Sequence, residues 1–312
     1  MQGFHEIYTG IARVRQVASL AMIGGLAVRN NLLCVTWSAG RGHVFLYDLD
    51  TSELLSSWCN PVGSSGFSDA GGIAIDRDFR IFIADAHNNC VHRFNVFGQH
   101  LGDLGLPMPT SGDRGRDKSG VLDQPHAVAT HGDCVYVAMG DRPRQRAVQC
   151  FHVDGRVQPG LPARGDHGAK WGAPRGLFAD EQGVWVADTL RGRIQRFRHD
   201  GVFVQELELG GKHPPARPGH LVRMANGTMV VVDHGGVESR LCAIRASGQR
   251  LPIRALAEKC PDPLALAMDD QQRVYVLDHG GERVVRATSE LAFDRVMFDL
   301  TEQGCDAPIS TD

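Results

Sequence analysis

Fourteen histidines lie in a chain of 312 residues, and five of them sit at the edges of short apolar runs. His126 and His220 open such runs, in Pro125-His126-Ala127-Val128 and Pro218-Gly219-His220-Leu221, while His87, His234 and His279 follow one. An imidazole changes charge near neutral pH, serves as donor or acceptor, and ligates metals. Five brought to one place would suit a common ligand or a metal. Arg175, in Pro174-Arg175-Gly176-Leu177, stands where His126 stands in its own run. Its planar fork of donors suits a carboxylate or phosphate; the alternative is a salt bridge to a nearby carboxylate, Asp141 or Asp188. Asn88 beside His87 adds an amide to the set.

These residues are positioned by a repeat. The stretch 71–98, GGIAIDRDFRIFIADAHNNCVHRFNVFG, reads as three short strands joined by a tight turn at 77–80 and a polar loop at 86–90. A ribbon of this kind cannot bury its own faces and needs copies of itself. Related stretches span about 20–60, 70–106, 124–160, 173–210, 217–256 and 262–301, as blades of one domain covering 1–312. The residues that close the second strands are Trp37, Asp85, Met139, Asp188, Asp233 and Asp278, at intervals of roughly 45–54 residues. Six copies of four short antiparallel strands predict an all-β fold, a six-bladed β-propeller. The connections between blades are rich in Gly and Pro. Ring closure stays open at this level, with 6–17 available as a donated strand although blade 6 has an outer strand of its own near 295–300.

In such a ring the starts of the inner strands and the loops after the second strands share one face. His87, His126, His220, His234, His279, Asn88, Asp141 and Arg175 are therefore expected on one end of the channel. The recurrent aspartates suggest a ring of carboxylates, but Arg193, Arg240 and Arg283 open the third strands of blades 4 to 6, which favours structural ion pairs. Blade 3 has Met139 in place of the aspartate and blade 2 has Cys90 in place of the arginine. Those departures, close to His87 and His126, mark the rim between blades 2 and 3 as the preferred site.

The strand pattern resembles the NHL repeat over about residues 20–300, best in GGIAIDRDFRIFIADAHNNCVHRFNVFG and PRGLFADEQGVWVADTLRGRIQRFRHDG. That family includes enzymes, RNA-binding modules and interaction platforms, so the resemblance implies the fold more than the activity. Within this architecture the amidating lyases that act on peptidyl-α-hydroxyglycine bind zinc through inner-strand histidines. The resemblance carries His126 and His220 over as metal ligands, the latter one place late, and blade 1 has no counterpart. The calcium set of the gluconolactonase-like hydrolases is not matched, because the inner-strand starts are neither acidic nor amide.

A net charge of −3 gives no general attraction to nucleic acid or anionic membrane. RNA would need a basic face with exposed aromatics, and Trp171 is the main candidate for stacking. No nucleophile elbow, phosphate loop, dinucleotide fingerprint or zinc-finger spacing occurs. Eight scattered cysteines without a C-x-x-C pair, no visible secretory leader and no apolar run of membrane-spanning length fit a cytoplasmic protein. The expectation is a module that binds a protein or a small anionic ligand through a His/Arg-lined channel face. No cofactor is firmly implied. A zinc-dependent lyase or hydrolase is the alternative, and an RNA-binding module the second.

Overall fold

The computed structural model describes residues 24–37, 43–59, 70–106, 119–139, 147–161, 171–210, 216–236, 239–278 and 283–299. They form six four-stranded antiparallel sheets, each built from strands consecutive in the chain. The inner strands are Gly24–Arg29, Ala70–Ile75, Pro125–His131, Pro174–Asp180, Pro218–Arg223 and Pro263–Met268. Each touches the inner strand of the next blade, and Gly24–Arg29 packs on Pro263–Met268 to close the ring. The protein is a six-bladed β-propeller. No blade borrows a distant strand among the described residues, and 6–17 lie outside them.

Second strands carry apolar residues on both faces because each blade is sandwiched between two others. Ile81–Asp85, Gly183–Asp188, Met229–Asp233 and Val274–Asp278 are buried at every position. Their side chains alternate between two layers: Ile81 and Ile83 pack toward blade 1 with Val44 and Leu46, and Phe82 and Ala84 toward blade 3 with Val135 and Val137. Met139 joins the second of these layers, which explains why blade 3 tolerates an apolar residue at the aspartate position. Cys34, Cys150 and Cys260 are buried free thiols, and burial pushes the Cys260 thiol up to about 12.

Inner strands approach one another more closely than side chains permit. A Cβ on Gly176 would lie 1.9 Å from the Gly219 carbonyl oxygen of blade 5, and one on Gly72 would lie 2.6 Å from Ala127 Cα of blade 3. Glycine is required there by contact between backbones.

The aspartates of blades 4 to 6 fasten the entry of their inner strands. Asp188 Oδ1 accepts from the N–H groups of Gly172 and Ala173 (2.7 and 3.1 Å), and its Oδ2 from Arg193 Nε at 3.0 Å. Asp233 accepts from the Arg217 N–H at 2.7 Å and pairs with Arg240 at 2.7 Å. Asp278 accepts from the Asp262 N–H at 2.9 Å and lies 3.5 Å from Arg283. Burial alone would raise the Asp233 carboxyl, but these donors hold it below the usual carboxylate range. The ion-pair reading of the aspartates is thus the one the structure supports.

Two outcomes follow for equilibrium urea unfolding. Gly176→Ala should cost about 3 kcal/mol by forcing backbone apart, whereas Gly132→Ala, with open space around it and a φ of +56°, should cost only about 1 kcal/mol. Asp188→Ala should cost about 3–5 kcal/mol because it takes one of two carboxylates from the buried Arg193 and the acceptor from the Gly172 and Ala173 N–H groups. Removing the exposed Asp200, paired with Arg198, should cost under about 1 kcal/mol.

Candidate functional site

The first residues of the inner strands do not join the ladder regularly. Pro125, Pro174, Pro218 and Pro263 pair with Met139, Asp188, Asp233 and Asp278, and the register then shifts, placing His126, Arg175, Gly219-His220 and Leu264 at bulges outside the regular register. Ala70 pairs with Asp85 and the register shifts past Gly71-Gly72 in the same way. A bulge re-aims the side chain it carries and frees it from the strict alternation of the strand. Blade 1 has no bulge there. The residues singled out from sequence are therefore the bulge residues of blades 3, 4 and 5.

Three of them form one neighbourhood. Arg175 is exposed at the start of blade 4 and lies within electrostatic range of His234 in the loop after the second strand of blade 5. His234 Nδ1 lies 2.8 Å from Ser239 Oγ. Its Nε2 comes so close over Gly219 that a Cβ there would sit 2.5 Å away. The loop histidine thus reaches back to the bulge of its own inner strand. Burial, helped by the charge of His234, pushes His220 down to about 4. Burial also lowers His234, with Arg175 adding to the effect and Asp233 and Asp262 opposing it.

The remaining candidates fall elsewhere. His126 is half-buried at the blade 3 bulge. His87 is exposed, and its backbone N–H donates to Asp85 Oδ1 at 3.1 Å. Asn88 donates to the same carboxylate through its N–H and its side chain, both at 2.9 Å, so it belongs to the loop that Asp85 organises. Asp141 and His279 lie outside the described residues. Asp188, one carboxylate considered for Arg175, is engaged by Arg193 and two backbone N–H groups. Trp171 is a correction: it is 5% exposed and packs on Phe197 with ring centroids 5.6 Å apart. It fills the layer between blades 3 and 4 and offers no surface for base stacking.

Two features were not anticipated. The first is a cavity of about 790 Å³ in the channel, lined by the later halves of the inner strands and the turns that follow them. It opens at the end opposite the bulges. Two ion pairs there span neighbouring blades: Arg77 to Asp133 at 2.7 Å, and Arg223 to Asp180 at 2.9 Å. Across the same end Tyr136 Oη lies 2.8 Å from His199 Nδ1, and His131 stacks on His199 at 4.6 Å.

The second is in blade 2. Among the described residues, one set of three or more His, Cys, Asp or Glu ligand atoms lies within 4.8 Å of one another, formed by Cys90, His92 and Asp103; it contains neither His126 nor His220. His92 is buried between Asp103 at 2.7 Å and Asp85 at 3.4 Å, with His100 also 2.7 Å from Asp103. Burial works to lower His92, yet the two carboxylates push it up to about 11. The signal in sequence is Cys90-x-His92 with an acid eleven residues on, which becomes a cluster only through the strand register. It lies on the face of blade 2 that meets blade 1, not on the rim between blades 2 and 3.

No helix of the described residues is long and apolar enough to cross a membrane. No protein-family model matches the chain, and no curated protein matches it. Solved structures do. A streptogramin B lyase shares 13% identity over 90% of this chain and 85% of its own, with a TM-score of 0.60. Virginiamycin B lyase from Staphylococcus aureus shares 14% over 88% of this chain and 84% of its own, with a TM-score of 0.59. A chain of a nidogen/laminin complex shares 16% over 85% of this chain and 92% of its own, with a TM-score of 0.57. At these identities the likeness is one of fold alone.

Proposed function

We propose that the chain is a binding propeller that takes a carboxylate- or phosphate-bearing ligand, free or displayed by a partner protein, at the channel end where blades 4 and 5 present Arg175, His220 and His234. The observation that carries this reading is their convergence at two adjacent bulges. Arg175 and His220 each lie within electrostatic range of His234, and a guanidinium beside two imidazoles suits an anion. The opposite end has the cavity of about 790 Å³, where Arg77 is tied to Asp133 and Arg223 to Asp180 across blades. The NHL pattern supports the same reading in general terms. Two of the structural neighbours are lyases and a third belongs to a protein complex. A zinc-dependent reaction at His126 and His220 finds no third ligand beside them among the described residues, which leaves binding as the better account.

Isothermal titration calorimetry with inorganic phosphate and with succinate tests the site. Arg175→Ala should weaken the tighter of the two by at least about tenfold, the loss of one charge-assisted pair. Equal affinity in the variant, or no binding of either probe to the parent chain, would sink the reading.

The protonation of His220 offers a second check. Its folded pKa lies below the unfolded value near 6.5, so the unfolded chain binds the extra proton between pH 6.5 and about 4. His220 should therefore contribute a loss of stability as pH falls through that window, and His220→Asn should flatten it. Imidazole NMR should show His220 neutral down to about pH 4, and a bound anion should shift that midpoint upward. A midpoint near 6.5 would contradict the burial described here.

A further inference from the structure

Blades 2 and 4 use the same ladder positions for different chemistry. In blade 4, Asp188 stands opposite Arg193, and Gln195 opposite Glu206. The Arg193 guanidinium bridges the two carboxylates, 3.0 Å from Asp188 and 2.6 Å from Glu206, and Gln195 donates to the same Glu206 oxygen at 2.8 Å. In blade 2, Asp85 stands opposite Cys90, and His92 opposite Asp103. Both carboxylates are retained while the bridging guanidinium is replaced by a thiol and the amide by an imidazole. Two acids without their arginine, beside two side chains of metal-ligand type, are a different kind of site.

Ligand atoms of Cys90, His92 and Asp103 lie within 4.8 Å of one another, close enough to share an ion. His92 Nε2 lies 3.6 Å from Cys90 Sγ and 3.4 Å from Asp85 Oδ2. Bond lengths of about 2.0–2.3 Å around a tetrahedral zinc put neighbouring N, O and S donors about 3.3–3.7 Å apart. His92 Nδ1 is 2.7 Å from Asp103 Oδ1, a hydrogen bond that holds the cluster together. It fixes the tautomer that turns the Nε2 lone pair inward, as a carboxylate behind a metal-bound histidine does. Thiolate, imidazole and carboxylate together select zinc over magnesium or calcium. Asp85 and His92 are buried, while Cys90 and Asp103 reach toward solvent, which leaves a path for the ion.

We infer that blade 2 holds a divalent cation of the zinc type among Cys90, His92 and Asp103, beside Asp85 and at the place that the Arg193 guanidinium fills in blade 4. The ion serves as the inorganic counterpart of that guanidinium, neutralising two acids and tying the second, third and fourth strands together. Its competitor is a proton on His92, which would make the imidazolium the bridging cation. The inference is independent of the reading of the channel end, since it involves neither Arg175 nor the channel histidines.

The test uses the full chain without a polyhistidine tag, grown with zinc and dialysed. Mass spectrometry of the metal content should give one zinc per chain, and its removal by a chelator should lower Tm. Cobalt(II) in its place should show a thiolate charge-transfer band that Cys90→Ala abolishes, and Asp103→Asn should weaken zinc affinity about 10- to 100-fold. The double variant Cys90→Arg/His92→Gln installs the blade 4 residues; it should fold without metal and show no shift of Tm with zinc. A parent chain with no stoichiometric zinc and no cobalt–thiolate band would overturn the inference in favour of the proton on His92. Zinc retained by the double variant would overturn it by placing the metal elsewhere.

Discussion

A buried carboxylate at the end of the second strand is the constraint on which the rest of this propeller depends. Taking a carboxylate out of water is costly unless every lone pair is met. Asp188 and Asp233 meet that demand with backbone N–H groups from the segment entering the inner strand and with an arginine from the third strand, and Asp278 accepts from the Asp262 N–H with Arg283 3.5 Å away. One side chain therefore fixes where the chain enters the blade, where the inner strand begins, and how the third strand lies. Because the first ladder pair is held at Pro174, Pro218 and Pro263, the shift in register that follows has a fixed place, and so do the side chains it releases.

The two ends of the channel differ as a consequence. At the entry end, the bulges place Arg175 and His220 and bring the His234 ring over Gly219. At the far end, the turns after the inner strands carry aspartates that cap their own loops, as Asp76 does with Arg80 and Asp269 with Arg273. Other charges there span neighbouring blades. The cavity of about 790 Å³ and the bulge residues thus lie at opposite ends of the channel. In blade 2 the same carboxylate turns to its own loop through His87 and Asn88 and to His92, and the clamp becomes a cluster of donors.

Much of this was legible in the sequence. The apolar runs flanked by Gly and Asp, their spacing and their number specify the blades, because short strands buried on both faces leave a strong pattern. The Asp/Arg pairs were legible as ion pairs for the same reason: they recur at fixed offsets in blades 4 to 6. Trp171 was misread because a tryptophan in a Gly-rich connection carries no mark of the neighbouring blade that buries it. The cluster around His92 was invisible because Cys90, His92 and Asp103 lie on two strands, and only the register puts the last opposite the second.

The sequence by itself determined six copies of a four-stranded unit, the residues that close each second strand, and the set of polar side chains near the inner-strand starts. These follow from local periodicity and from chemistry that repeats. Tertiary structure alone decided which of those side chains meet. The bulges choose which residue leaves the ladder, the backbone contact at Gly176 and Gly219 sets the distance between blades 4 and 5, and the cross-strand register brings a thiol, an imidazole and two carboxylates together. Contacts between strands far apart in the chain depend on packing and register, which no single stretch of sequence encodes.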